Sequence, residues 1–490
     1  MPNKKLNILF AAAEVVPFAK TGGLADVAGA LPKAIRKLGH NIIVVMPRYY
    51  EIDTTQLEKL PAPLGVPMGV MGEFWAAVYS TTLPQSDVKI YFIDYEHYFG
   101  RRNLYEDDNG GYHDNDNRFV FFSKAALQLC KMLHFTPDII HANDWHTAAM
   151  PLLSTTRFVH DFANAASVLT IHNLQHQGTF YKGIIDVLEV GWEHFNPHEL
   201  ESMDSVNLLK GGIATANAIT TVSKKYAQEI QTSEFGFGLD HHIRAHNGKL
   251  FGILNGVDYD EWSPTTDTYI AQNYDINNMS GKKVCKKDLQ KHFALPQRDD
   301  VVLIGFVGRL VEQKGIGLIA GVINGLLGHD IQVVMLGTGE QWAEDFFNEV
   351  AYNRENFALH VGYSNTLAHK IEAGCDMFLM PSLFEPCGLN QIYSLAYGTL
   401  PIVRATGGLD DTIVNFDTQH KHGNGFKFYD ATQEALYYTV LWALNIYYKE
   451  KEAFKEMQKV AMQEHFSWED SAKAYIDVYR FALNNKRNAL

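Results

Sequence analysis

Short apolar runs alternate along the chain with longer segments whose apolar positions recur every three or four residues. Leu6–Ala13, Asn41–Met46, Pro137–Ala142, Ser167–Ile171 and Ala218–Val222 predict buried strands, and Leu24–Leu38 and Val206–Ala216 predict helices. Strands alternating with helices in this way imply parallel sheets covered on both faces. Between residues 255 and 300 the alternation lapses into loop-like and polar sequence. It then resumes with strands at Val301–Val307, Ile331–Leu336 and Met377–Met380 and a helix at Gly315–Leu327. The expected architecture is α/β, with two doubly wound, Rossmann-like domains meeting near residue 260. A last amphipathic helix is predicted over Trp468–Asn484, with no partner legible from sequence.

Length supports that division, since 490 residues exceed the roughly 100–200 typical of one domain. Hydrophobic residues make up 46% and charged residues 20%, which excludes global disorder. Forty-two basic against 56 acidic residues leave a net charge of −14, so nucleic-acid binding is not expected. An anionic ligand needs a local basic site. The four cysteines, Cys130, Cys285, Cys375 and Cys387, form no CxxC pair, so a reduced, cytoplasmic compartment is the simpler expectation. The apolar N-terminal run behind Lys4 and Lys5 is interrupted by Asn7 and Glu14, which favours a strand over a signal peptide. No apolar stretch is long enough to span a bilayer.

Four constellations carry candidate chemistry. Lys20-Thr21-Gly22-Gly23-Leu24 joins a strand to a helix; its glycines permit close approach and its helix start favours anions, although a plain surface turn fits as well. It is neither a Walker loop nor GxGxxG. Gly308-Arg309 through Lys314-Gly315 follows a strand and offers two cations to a diphosphate, or is a solvated loop. Glu385-Pro386-Cys387-Gly388-Leu389-Asn390 sets a carboxylate on a turn that opens a helix, whose N-terminus favours the charged form; Cys387 fits a small buried residue better than a nucleophile. His141-Ala-Asn-Asp144-Trp145-His146 and His172-Asn173-Leu-Gln-His176 end strands. They suit hydroxyl-rich ligands, with Trp145 as a stacking platform; metal ligation and structural histidines are the rivals. Thr406-Gly407-Gly408-Leu409 repeats the Thr21-Gly-Gly-Leu pattern, as if each domain points a helix start at a shared cleft. The D-x-D strings Asp114/Asp116 and Asp258/Asp260 are weak candidates for a divalent cation.

Taken together, these segments, with Lys210-Gly-Gly-Ile and Leu254-Asn255-Gly-Val-Asp, resemble the bacterial glycogen synthase and plant starch synthase family over nearly the whole chain. The resemblance implies a GT-B fold with Rossmann-like domains at 1–258 and 259–466, and a helix at 467–490 crossing back to the first. It implies a glycosyltransferase moving glucose from ADP-glucose to the non-reducing end of an α-1,4-glucan such as glycogen, with retention, without metal or other cofactor. Lys20, Gly22 and Gly23 match the family's diphosphate motif, and Arg309 and Lys314 its cationic pair. Tyr363 matches an aromatic near adenine, and His172 a residue beside the transferred sugar. Asp144, Asn173 and Asn255 match cleft residues. Glu385 matches the acid contacting the donor glucose, and Gly388 and Leu389 its turn. Asp26 and Cys387 complete the implied substrate-binding set, of which Lys20, His172, Arg309, Lys314 and Glu385 form the catalytic group. Asn390 departs from the usual Thr, and Tyr393 stands where related enzymes often carry a second Glu.

A departing diphosphate needs neutralisation more than protonation, which lysines, an arginine and helix N-termini supply. The rival functions are a silent glucan-binding protein, a metal-dependent glycosyltransferase and a dinucleotide oxidoreductase. Intact cations and Glu385 disfavour the first, and the missing GxGxxG the last.

Overall fold

A computed structural model describes residues 4–108 and 110–488. The chain divides into two units, Met1–Val222 with Ala227–Asn255 and Trp468–Leu490, and Ser223–Tyr226 with Gly256–Ser467.

Among the described residues, the first unit holds a ten-stranded sheet. Its parallel part runs in the order Leu250–Gly252, Ala218–Thr221, Ala166–Ile171, Ile139–Asn143, Asn7–Ala11, Asn41–Pro47, Lys89–Asp94. The central strands are buried nearly throughout, as covering on both faces requires. An antiparallel extension, Glu73–Thr82 with Glu58–Lys59 and Leu64–Pro67, continues one edge. Sequence patterning did not reveal it, although Phe74–Tyr79 is an apolar run; in the fold Ala76, Val78 and Ser80 are buried while their neighbours are half-buried or exposed, the alternation of a strand covered on one face. The strand order reverses direction at Asn7–Ala11, whose neighbours are Asn41–Pro47 on one side and Ile139–Asn143 on the other. Such a reversal opens a crevice outside the carboxyl ends of the two strands.

The second unit repeats this logic with six parallel strands in the order Phe357–Val361, Ile331–Gly337, Val302–Val307, Met377–Met380, Leu400–Arg404, Phe426–Phe428. Its reversal lies between Val302–Val307 and Met377–Met380.

Two predicted elements differ. The helix expected from Val206 begins at Leu208; Ser205–Asn207 is a short strand, and the Asn207 side chain accepts the Lys210 N–H as the cap. The polar stretch before residue 300 contains the helix Ser280–His292. Its buried face is Lys282, Cys285, Lys286 and Leu289, a helical spacing disguised by lysines. Lys282 Nζ reaches the Ala373 carbonyl at 3.0 Å and Thr399 Oγ1 at 2.6 Å, and Lys286 Nζ reaches Asp376 at 2.7 Å. Burial is tolerated because each ammonium is partnered, and it lowers the Lys282 pKa to about 8.

The helix Trp468–Asn488 belongs to the first unit. It buries Ala472, Tyr475, Ile476, Tyr479 and Ala482, one face at helical spacing. Tyr479 hydroxyl lies 2.8 Å from His141 Nδ1, and His141 Nε2 lies 2.7 Å from Thr170 Oγ1. This sequestered histidine is neutral, its pKa pushed down to about 3 chiefly by burial. Replacing Tyr479 with Phe strands the ring nitrogen without its partner. Urea unfolding is expected to show a loss of about 1–2 kcal/mol; an unchanged midpoint would count against this contact.

Candidate active site

In the first unit, candidate residues gather at the reversal. The strand Asn7–Ala11 leads to Glu14 and then to the Lys20–Gly23 turn, which opens the helix Gly23–Lys37. Cβ atoms built on Gly22 and Gly23 would meet nothing within 4 Å, so this turn faces open space. Lys20 is half exposed and pairs with Asp26 at 2.7 Å. The Thr21 and Gly22 N–H groups both donate to Glu14 Oε2, so they already hold an anion of the chain itself.

The neighbouring strand Ile139–Asn143 ends at Asp144, whose backbone is left-handed (φ 54°). Asp144 Oδ1 accepts the His172 N–H at 2.7 Å and lies 3.5 Å from that of Asn173. Burial raises its pKa to about 7. Asn143 Nδ2 donates to the Ala11 carbonyl at 3.0 Å, which fixes its Oδ1 as the acceptor 2.9 Å from His172 Nε2. His172 therefore carries its proton on Nε2, leaving Nδ1 to accept from a hydroxyl. Burial keeps the ring neutral, with a pKa of about 3. Asn173 turns its side chain onto the Gln175 N–H at 3.0 Å. Asn255 is buried with its Oδ1 unpartnered.

Trp145 is not an open platform. Its ring packs between Phe119, His146 and Phe180, and Gly178 lies so close that a Cβ there would sit 2.5 Å from it. Only its margin lines a cavity of about 340 Å³ with Asn115 and the 175–180 loop. Both His141 ring nitrogens have hydroxyl partners. Among the described residues no three His, Cys, Asp or Glu side chains assemble as a metal site needs. Asp114 pairs with Arg101 through two bonds of 2.7 and 2.6 Å, and Asp258 accepts the Asp260 N–H at 3.0 Å.

In the second unit, the loops after Val302–Val307 and Met377–Met380 lock together. Lys314 Nζ sits 2.6 Å from Glu385 Oε2, which also accepts Ser382 Oγ at 3.0 Å. Glu385 is 7% exposed and Lys314 22%. Gly315 has φ 74°, and a Cβ there would lie 2.1 Å from the Pro381 carbonyl oxygen, so only glycine fits. The charge complement of Glu385 is thus Lys314 and not a helix start, because the following helix begins only at Asn390. Arg309 is exposed, its Nη2 3.4 Å from Gln313 Oε1. Tyr363 is 84% exposed beyond the strand Phe357–Val361. Cys387 is buried, Gly388 is left-handed at φ 71° and Leu389 caps the next helix. Asn390 donates to the Val307 carbonyl at 2.8 Å, tying the two loops at their base. Tyr393 stacks on Trp262 at 3.9 Å and 5°, so it is a packing residue here.

The Thr406-Gly407-Gly408 echo has a different purpose from the one its sequence suggests. Cβ atoms on Gly407 and Gly408 would both lie 1.9 Å from carbonyl oxygens, those of Glu385 and Cys387, and the Gly408 N–H donates to the Glu385 carbonyl at 3.1 Å. These glycines let one loop seat on the Glu385 loop, and the helix they open is only Gly407–Thr412. Sequence reasoning also missed Glu14 and Ser382, and it gave Asn143, although part of the His141–His146 motif, no role of its own. Glu14 had a signal, as the one charge breaking an apolar run.

Asp144 gives a pH test. Its folded pKa lies above the unfolded value near 4, so its contribution is fullest below that value and is lost as pH rises towards 7. Asp144→Asn lacks that loss. Its melting temperature relative to the unaltered chain is expected to rise between pH 4 and pH 8; a constant difference would show that the carboxylate is not held so.

Residues 7–245 match the family of the starch synthase catalytic domain, and residues 288–460 that of glycosyl transferases group 1. Glycogen synthase 1 of Geobacter sulfurreducens is 54% identical over 487 residues, covering 98% of this chain and 97% of that protein. Glycogen synthase of Bacillus cytotoxicus is 43% identical, covering 98% and 99%. The catalytic domain of starch synthase IV from Arabidopsis thaliana, solved with ADP and acarbose bound to it, superposes with a TM-score of 0.90 at 32% identity, covering 98% of this chain and all of that one. No helix among the described residues is long and apolar enough to cross a membrane. With two Rossmann-like units and full-length likeness to these enzymes, the chain belongs to the glycogen and starch synthase family of GT-B glycosyltransferases.

Proposed function

We propose that this enzyme transfers glucose from ADP-glucose to the non-reducing end of an α-1,4-glucan, with retention, without a metal or other cofactor, and in the cytoplasm. The observation that carries the proposal is the Lys314–Glu385 pair, a cation and a buried carboxylate side by side where the second sheet reverses. Cleaving the glucose–phosphate bond places negative charge on the diphosphate and positive charge on the sugar. Lys314 and Arg309 complement the first; in the first unit, Lys20 with its open turn has the same chemistry for a diphosphate. Glu385 faces the second and accepts donor hydroxyls. Tyr363, exposed on its loop, stacks on the adenine. Neutral His172 and Asp144 serve sugar hydroxyls, with Asn173 and Asn255 in the same role; the unpartnered Asn255 Oδ1 is a ready acceptor. Gly22, Gly23 and Asp26 shape the Lys20 turn, and Cys387, Gly388 and Leu389 the Glu385 turn. The four cysteines are buried thiols, compatible with a reducing compartment.

The deciding assay is radiolabelled glucose incorporation into glycogen from ADP-glucose and UDP-glucose in parallel. Incorporation from ADP-glucose, insensitive to EDTA, is expected; none from it would refute the proposal. Lys314→Ala is expected to lower kcat by about 10²–10³-fold, the usual effect of removing one preorganised donor to developing charge. Glu385→Ala is expected to lose turnover with the fold intact by circular dichroism, and near-normal kcat in it would remove Glu385 from the site.

A further inference from the structure

Glu14 is buried, 4% exposed, and no role above requires a carboxylate there. Four donors converge on it. Oε2 accepts the backbone N–H groups of Thr21 and Gly22, the latter at 3.2 Å. Oε1 accepts Thr21 Oγ1 and the Tyr105 hydroxyl, each at 2.6 Å. Three of the four belong to the turn that carries Lys20. The fourth comes from a distant loop, and the Tyr105 ring packs against His146 at 4.7 Å. Burial and the Glu14 charge both raise the Tyr105 pKa, so its hydroxyl remains a donor.

A turn of two adjacent glycines is intrinsically mobile, and its N–H groups repel one another unless they share an acceptor. The carboxylate is that acceptor. With Thr21 and Gly22 held inward, the first-turn N–H groups of Gly23 and Leu24, which have no carbonyl to reach within their own helix, are left for a ligand. We infer that Glu14 is a positioning residue for the donor diphosphate: it holds the Lys20–Gly23 turn in its binding shape before nucleotide arrives. This rests on the proposed role of the Lys20 turn. The arrangement has an opposing component, since a carboxylate beneath the turn carries the same charge sign as the diphosphate.

These two effects separate in variants. In Glu14→Gln the amide oxygen keeps both backbone N–H bonds. The Thr21 and Tyr105 hydroxyls, which can donate or accept, rotate to accept from the amide NH2. Shape is kept while the like charge is removed. In Glu14→Ala the turn loses all four bonds.

The test is calorimetric ADP binding and steady-state kinetics for Glu14→Ala, Glu14→Gln and Lys20→Ala, with melting temperatures. Glu14→Ala is expected to weaken ADP binding and raise KM for ADP-glucose at least tenfold, with KM for a maltooligosaccharide acceptor within twofold. Glu14→Gln is expected to bind ADP at least as tightly as the unaltered chain. Wild-type ADP binding in Glu14→Ala would overturn the inference, as would a folded Glu14→Gln no better than Glu14→Ala. If Lys20→Ala binds ADP normally, the role of the turn itself is wrong; if only Lys20→Ala is impaired, the turn stands and Glu14 does not position it. Should Glu14→Ala not fold, Tyr105→Phe, which removes one donor of four, is expected to show a two- to fivefold loss of ADP binding that an unaffected variant would contradict.

Discussion

Parallel strands deliver every loop at their carboxyl ends to the same edge of a sheet, and a reversal of strand order leaves two adjacent loops there uncovered. That constraint governs both units. In the first it brings Glu14 near Asp144; in the second it brings Lys314 beside Glu385. Most candidate side chains sit on these loops and not in the strands, whose few buried polar groups, such as His141, Asn143 and Thr170, are hydrogen-bonded.

Holding charged loops in place needs close backbone contact, and the second unit achieves it through glycine. Gly315 admits the Pro381 carbonyl, and Gly407 and Gly408 admit those of Glu385 and Cys387. A side chain at any of these positions would push apart the segments that set the Lys314–Glu385 distance. In the first unit the glycines of the Lys20 turn are free of such neighbours, and order comes instead from a buried carboxylate. The two loops share a sequence pattern and have opposite physical reasons for it.

Burial, more than ion pairing, sets the electrostatics of the first unit. Sequestered from water, His141 and His172 remain neutral and Asp144 becomes a weak acid. His141 meets the hydroxyls of Tyr479 and Thr170, His172 the amide of Asn143, and Asp144 two backbone N–H groups. The second unit instead holds an ion pair, Lys314 with Glu385 at 2.6 Å.

The alternation of apolar runs determined by itself that the chain forms two parallel α/β units, because a strand covered on both faces is mostly apolar whatever surrounds it. The spacing of Lys20-Thr-Gly-Gly, Gly-Arg309, Lys314-Gly and Glu385-Pro-Cys-Gly likewise determined the family and the main candidates. Where polar groups were buried with partners, that legibility failed: Lys282 and Lys286 hid a helix, and Trp145 read as an open ring although it is covered. Only the tertiary structure decided that Glu385 answers Lys314, that Gly407 and Gly408 serve packing, and that Glu14 lies under the Lys20 turn. Each of these depends on distances between loops far apart in the chain, and local pattern carries no information about such distances.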